Sequence, residues 1–227
     1  MPFVIVASTI PPYKCGAGQE TAWLANAEAI VEDCPDALFF IALEVRPRCR
    51  MGVFDDLLKR IVELPHQVWT FGLDDGEEFL TSQNRLSRIC LGRNVITEFA
   101  MRTTADHLLY ADSDVELPGD CISKLLEVRR PIVGGDVPSY CLSGPDVGGY
   151  AFPVQQHWNT AGFLLVERAV FSRVRWRHDP DKFITDDPCY AADVEAAGFG
   201  PTLVRKDVVG HHVSLEPLEA RGHDLSL

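Results

Sequence analysis

The stretch that decides the fold reads His107-Leu108-Leu109-Tyr110-Ala111-Asp112-Ser113-Asp114, an apolar run that ends in two carboxylates. The run has the length and composition of a buried strand. Side chains two positions apart on an extended chain point the same way, so Asp112 and Asp114 can face one ligand. The pattern predicts a strand that delivers a pair of carboxylates to one edge of a sheet.

Strand-like and helix-like segments alternate on the amino-terminal side of this stretch. Short apolar runs over Phe3–Thr9, Ala37–Val45 and Gln67–Leu73 predict three more strands. Apolar residues recur at helical spacing between them, and Pro118-Gly119-Asp120 marks the start of another helix after the carboxylates. Strands and helices that alternate in this way predict an α/β fold with a mostly parallel sheet flanked by helices.

The carboxyl-terminal half of the chain has a less regular pattern. Pro138–Pro153 is rich in glycine and proline and predicts a long loop. Trp158–Val166 and Leu203–Val209 predict strands, and Asp186-Asp187-Pro188 predicts the start of a helix. Asp187 precedes a proline that fits the first helical position, so we expect it to be the helix N-cap.

Charge and composition argue against several classes of function. The 227 residues include 33 acidic and 21 basic ones, and the net charge of −12 does not favour binding to nucleic acid or anionic lipid. No apolar run approaches the ~20 residues of a membrane-spanning helix, and the amino terminus lacks the features of a secretory signal. The seven cysteines form no Cys-x-x-Cys pair, which favours reduced thiols and predicts a cytoplasmic location.

The carboxylate pair suits a hard divalent cation. Mg²⁺ and Mn²⁺ prefer carboxylate and phosphate oxygens, and ligands bind at the carboxyl ends of parallel strands. A metal ion there could bridge a substrate diphosphate and neutralise a leaving group. A solvated turn or a helix N-cap is the other interpretation, because aspartate is common at both. The position directly after an apolar strand favours the metal site.

Landmarks along the chain, in order, resemble those of the GT-A glycosyltransferases, particularly the family-two-like group. Arg93-Asn94 resembles an Arg-Asn pair of that group, and Asp112-Ser113-Asp114 resembles its DxD motif. Three further matches are an acceptor-side strand with alanine for one glycine, an acidic xED element with aspartate for glutamate, and a carboxyl-terminal histidine. They lie at Trp158–Phe163, Thr185-Asp186-Asp187 and Gly210-His211-His212.

The resemblance implies a metal-dependent, hexosyltransferase-like enzyme that moves a sugar from a UDP- or GDP-sugar to a hydroxyl acceptor with inversion. The acceptor stays open between a protein, a small molecule and a nucleobase. Asp112, Asp114 and His211 would bind Mn²⁺ or Mg²⁺, and Asp187 would be the general base, with Asp186 as the alternative. The nucleotide contacts would be Thr9, Tyr13, Glu44, Arg93, Asp112 and Ser113.

The resemblance covers the chain from Phe3 to about Val213 and implies one GT-A-like catalytic domain over residues 1–227. Residues 1–115 would form the nucleotide-binding half and residues 116–215 the acceptor-side half. Residues 216–227 would form a tail.

Two other functions are compatible with these residues. A nucleotidyltransferase has a related sheet and usually a glycine-rich basic loop after the first strand, which Lys14-Cys15-Gly16-Ala17-Gly18 matches in part. A non-catalytic sugar- or nucleotide-binding module is the second alternative, although the intact acidic pairs argue against a decayed site. Structural roles also stay open, a surface salt bridge for Arg93 and plain solvation of a strand end for Glu44.

Overall fold

The structure is a computed structural model that describes residues 2–10, 19–45, 55–72, 82–137, 162–179, 181 and 186–212. These ranges contain a large sheet, a small two-stranded sheet and helices on both faces of the large one. The strands are β1 (Val4–Ile10), β2 (Leu38–Glu44), β3 (His66–Phe71), β4 (His107–Ala111), β5 (Val115–Glu116), β6 (Ile132–Asp136), β7 (Phe163–Glu167), β8 (Leu203–Val209) and β9 (His211–His212). The helices are α1 (Gln19–Asp33), α2 (Asp55–Ile61), α3 (Ser82–Met101), α4 (Cys121–Leu126), α5 (Arg168–Phe171) and α6 (Asp186–Ala196).

The large sheet has seven strands in the order β3-β2-β1-β4-β7-β6-β8. Strands β1 to β4 are parallel to one another, β7 is antiparallel to both of its neighbours, and β8 is parallel to β6. The mostly parallel α/β sheet that the sequence predicts is confirmed. Because β1 to β4 run the same way, their carboxyl ends lie along one edge of the sheet, which we call the carboxyl edge.

Two hydrophobic clusters cover the two faces of the large sheet. Val4 and Val6 of β1 pack on one side with α1, α2 and α4, whereas Ile5 and Ala7 pack on the other with α3, α5 and α6. Alternate side chains of a strand point to opposite faces, so a strand buried on both sides needs an unbroken apolar run. This explains why the central strands are the most apolar segments of the chain.

The helix that carries the acidic pair begins two residues earlier than expected. The N-cap assignment of Asp187 is wrong, because α6 begins at Asp186 and places Asp187 inside the first turn. Pro188 also lies in that turn. The first N–H groups of a helix have no acceptor within the helix, so proline is tolerated there, and carboxylates are stabilised by the helix dipole.

Several expected features lie outside the described residues. These are Tyr13, the Lys14–Gly18 segment, the Pro138–Pro153 loop and residues 158–161 of the predicted acceptor-side strand. No helix of the described residues is long and apolar enough to cross a bilayer. Four cysteines of the described residues are buried free thiols, at positions 34, 90, 121 and 189.

Candidate active site

The carboxylate pair lies on a tight turn that joins β4 to β5, and not on the extended segment that the sequence predicts. The N–H of Val115 donates a hydrogen bond to the carbonyl oxygen of Asp112 (3.2 Å) across this turn. Burial alternates along it: Ser113 and Val115 are buried, whereas Asp112 and Asp114 are partly exposed. Both partly exposed carboxylates therefore lie on this turn, at the carboxyl edge of the sheet. The backbone N–H of Asp112 donates a hydrogen bond to the carbonyl oxygen of Gly162 (3.1 Å), which continues the pairing of β4 with β7.

Arg93 on α3 brings together three carboxylates from two distant segments. Its Nη1 donates to the carboxylates of Asp186 and Asp187, the latter at 3.1 Å, and its Nη2 lies 3.5 Å from Oδ1 of Asp112. The guanidinium therefore joins the end of β4 to the first turn of α6. One positive and three negative charges give this group a formal charge of −2.

The ionisation of this cluster follows from burial and charge. Burial of Arg93, with a side chain only 9% exposed, disfavours its charged form, but Asp186, Asp187 and Asp112 together raise its pKa above the usual value. Burial, followed by the charge of Asp186, raises the pKa of the neighbouring Cys90 thiol to about 12. This thiol is protonated near neutral pH and is not a nucleophile there.

The residues on either side of Arg93 explain how it reaches the carboxyl edge. A Cβ atom on Gly92 would lie 2.7 Å from Cγ2 of Thr9 and 2.8 Å from Cζ of Phe71, so glycine allows α3 to pack closely on the ends of β1 and β3. The side-chain amide of Asn94 donates a hydrogen bond to the backbone carbonyl oxygen of Trp176 (2.8 Å) and accepts one from the backbone N–H of Trp176 (2.9 Å).

The indole ring of Trp176 packs against the guanidinium of Arg93. Its ring centroid lies 4.6 Å from Cζ of Arg93, and the ring stacks on Tyr190 of α6 at 3.8 Å with an interplanar angle of 6°. A guanidinium above an aromatic face gains a cation–π interaction in addition to its ion pairs. Two layers thus hold Arg93, carboxylates on one side and stacked rings on the other.

The predicted histidine reaches the same region through a small antiparallel ribbon. In this ribbon β9 pairs with β5, with His211 opposite Glu116 and His212 opposite Val115. A Cβ atom on Gly210 would lie 2.9 Å from Cγ1 of Val115, so glycine allows this close approach. His211 is exposed and belongs to the strand paired with the residues that directly follow Asp114.

The structure does not bring all the predicted metal ligands together. Asp112 pairs with Arg93, and no three His, Cys, Asp or Glu side chains of the described residues are grouped closely enough to hold a metal ion. The structure does place the Asp112–Asp114 turn at the carboxyl edge, and the strand that carries His211 pairs with the residues that follow this turn.

The residues predicted to contact the nucleotide differ in their hydrogen-bond partners. Thr9 and Ser113 have hydroxyl oxygens that are buried and without a hydrogen-bond partner among the described residues. Glu44 at the end of β2 is instead buried against Arg88, with 2.8 Å between Arg88 Nε and Glu44 Oε1. Arg88 went unnoticed in the sequence, although a charged residue on the apolar side of a predicted helix is a usable signal.

Comparisons with known proteins show which solved structures share this architecture. Comparison of the sequence with protein-family models and with curated proteins finds no match. Among solved structures, the mannosyltransferase PcManGT from Pyrobaculum calidifontis, in complex with GDP-Man and Mn²⁺, is similar with a TM-score of 0.58 and 13% identity over 97% of this chain. TarS from S. aureus (residues 1–349) is similar with a TM-score of 0.54 and 11% identity over 93% of this chain, and its complex with UDP has the same TM-score.

The chain has the GT-A fold. It spans about three-fifths of each of these proteins, 59% of PcManGT and 60% of the TarS fragment. In open α/β sheets in general, ligands bind beyond the carboxyl ends of the parallel strands. The Arg93 cluster lies at the corresponding edge of this sheet.

The cluster predicts a large stability effect for Arg93 and a small one for Arg102, a surface arginine in the turn directly after the same helix. Arg93→Met keeps much of the side-chain volume but leaves Asp186 buried without its cation, which costs about 3–5 kcal/mol of the free energy of unfolding. The matched control is Arg102→Met, whose exposed pair with Glu98 (3.2 Å) contributes less than ~1 kcal/mol. Urea denaturation of both variants measures the difference.

A double variant tests whether the unpaired charge of Asp186 causes this loss of stability. Adding Asp186→Asn to Arg93→Met removes the unpaired buried charge and should recover part of the lost stability. An Arg93→Met variant that is as stable as Arg102→Met would show that the carboxylates do not depend on this guanidinium.

Proposed function

We propose that the chain is a metal-dependent glycosyltransferase, hexosyltransferase-like, that transfers a sugar from a UDP- or GDP-sugar to a hydroxyl acceptor with inversion. The observation that carries this proposal is the Arg93 cluster, which joins the DxD-like segment to the acidic first turn of α6 at the ligand-binding edge of a GT-A sheet. The GDP-Man and Mn²⁺ bound to PcManGT and the UDP bound to TarS support the choice of donor class.

The donor atoms at this edge have the chemistry that a divalent cation prefers, but the described side chains would have to move closer together to bind one. The formal charge of −2 around Arg93 attracts a dication, and carboxylate oxygens with an imidazole nitrogen suit Mn²⁺ or Mg²⁺. Asp112, Asp114 and His211 would hold the ion. When bound, the metal would stabilise the negative charge that builds up on the leaving diphosphate.

The nucleotide would bind over the ends of β1 and β2. The hydroxyls of Thr9 and Ser113 are proposed nucleotide contacts; they are buried and have no hydrogen-bond partner among the described residues, so they would have to become accessible when the nucleotide binds. Glu44, oriented by Arg88, is the proposed contact for the ribose or base, and Tyr13 is a further proposed contact. Arg93 would bind the diphosphate or hold Asp112 beside it, as a guanidinium pairs well with phosphate and carboxylate alike.

The two acidic residues of α6 would have different roles. Asp186 is the more buried of the two, with a side chain 8% exposed, and it pairs with Arg93. Asp187 is 21% exposed, so an acceptor hydroxyl can reach it more easily. Asp187 would take the hydroxyl proton while that oxygen forms a bond to the anomeric carbon. The bond from that carbon to the diphosphate breaks on the opposite face, which inverts the configuration.

Nucleotide binding tests the donor class. Calorimetry of the wild type should show binding of UDP or GDP only when Mn²⁺ is present, and Asp114→Ala should abolish this metal-dependent binding. Asp120→Ala is the control, because Asp120 is an exposed acid that pairs with Lys124 (2.7 Å) away from the carboxylate pair. Preference for nucleoside triphosphates would instead favour a nucleotidyltransferase, and sugar binding without nucleotide would favour a binding module.

The turnover of two variants tests whether Asp187 is the general base. Asp187→Asn keeps the shape of the side chain and should leave metal-dependent donor binding intact, but turnover should fall by about 10²–10⁴, the usual contribution of a positioned acid or base. Asp186→Asn should act mainly on stability, because it removes the buried partner of Arg93. Near-normal turnover of a folded Asp187→Asn protein would move the base to Asp186 or elsewhere.

A further inference from the structure

A buried asparagine on α1 holds the segment that follows the carboxylate pair. Nδ2 of Asn26 donates a hydrogen bond to the carbonyl oxygen of Val115 (2.6 Å), and the N–H of Leu117 donates to its Oδ1 (2.7 Å). Asn26 is only 4% exposed, and its two partners lie about ninety positions further along the chain. The side-chain amide thus pairs with alternate residues of the backbone, as a neighbouring strand would.

The other edge of β5 is covered by β9. Backbone groups of alternate residues in a strand point to opposite edges, so those of Val115 and Leu117 face Asn26 while those of Glu116 face His211. A strand of two residues has few contacts of its own to hold it in place. Its position is therefore set by Asn26 on one edge and by β9 on the other.

We propose that Asn26 is a positioning residue for the metal site, an inference that rests on the proposed function. Asp114 directly precedes Val115, and β9 carries His211, so a shift of β5 displaces two of the proposed metal ligands at once. Residues behind metal ligands commonly set metal affinity through such hydrogen bonds. Asn26 also stands between Trp23 and Ala27 on the apolar stripe of α1, where an unpaired amide would be costly.

Two variants distinguish positioning from support of the fold. Asn26→Asp keeps the size of the side chain and the acceptor for Leu117 but loses the donor to Val115, and Asn26→Ala loses both bonds. We expect Mn²⁺ alone, titrated by calorimetry into the folded proteins, to bind each variant about 10–100-fold more weakly than wild type. Circular dichroism at the same temperature establishes that each variant is folded, and Asn26→Asp serves if Asn26→Ala is not.

A residue of the same helix supplies the matched control. Oδ2 of Asp33 accepts a hydrogen bond from the N–H of Ser123 (3.1 Å), and this bond ties α1 to α4 rather than to β5. Asp33→Ala should lower the melting temperature and leave Mn²⁺ affinity unchanged. Wild-type affinity in the folded Asn26 variants would overturn the positioning role alone. Absence of Mn²⁺ binding in the wild type would overturn the metal dependence of the proposed function and the positioning role together.

Discussion

The buried ion pairs of Arg93 are the interaction on which the rest of the candidate site depends. A guanidinium that is almost wholly removed from water is stable only with close anionic partners, and here Asp186, Asp187 and Asp112 supply them. These three residues follow Arg93 in the chain, Asp112 by 19 positions and Asp186 and Asp187 by 93 and 94. One cation thereby fixes where the β4 end and the first turn of α6 lie relative to each other.

Residues around the Arg93 cluster hold its parts in place. Gly92 lets α3 approach the strand ends, and Asn94 holds Trp176 beneath the guanidinium. On the other side of the segment, Asn26 and β9 hold β5. The carboxylate pair is therefore fixed from both ends: Arg93 acts on Asp112, and β5 continues directly from Asp114. Precise placement of charged groups before a ligand arrives is what electrostatic catalysis requires.

The sequence predicts the parallel half of the fold well, because β1, β2 and β4 are short apolar runs followed by polar residues, a local pattern. It also predicts that two carboxylates follow β4, but the extended conformation expected for them is wrong, because the N–H of Val115 closes a turn onto the carbonyl oxygen of Asp112. The reversed direction of β7 and the pairing of β9 with β5 depend on contacts between distant segments, which no local pattern encodes. The hydrogen bonds of Asn26 likewise join distant segments and follow from no local pattern. The N-cap assignment of Asp187 failed because proline is tolerated anywhere in the first turn of a helix.

The central claim is that a divalent cation binds at the Asp112–Asp114 segment together with a nucleoside diphosphate. The most direct test is the anomalous difference map of crystals grown with Mn²⁺ and UDP or GDP, since manganese scatters anomalously and carbon, nitrogen and oxygen do so hardly at all. The account predicts a single strong peak between the Asp114 carboxylate and the diphosphate, with Asp112 or His211 within coordination distance. A manganese peak elsewhere, with nucleotide bound away from the carboxyl ends of β1 and β4, would contradict it.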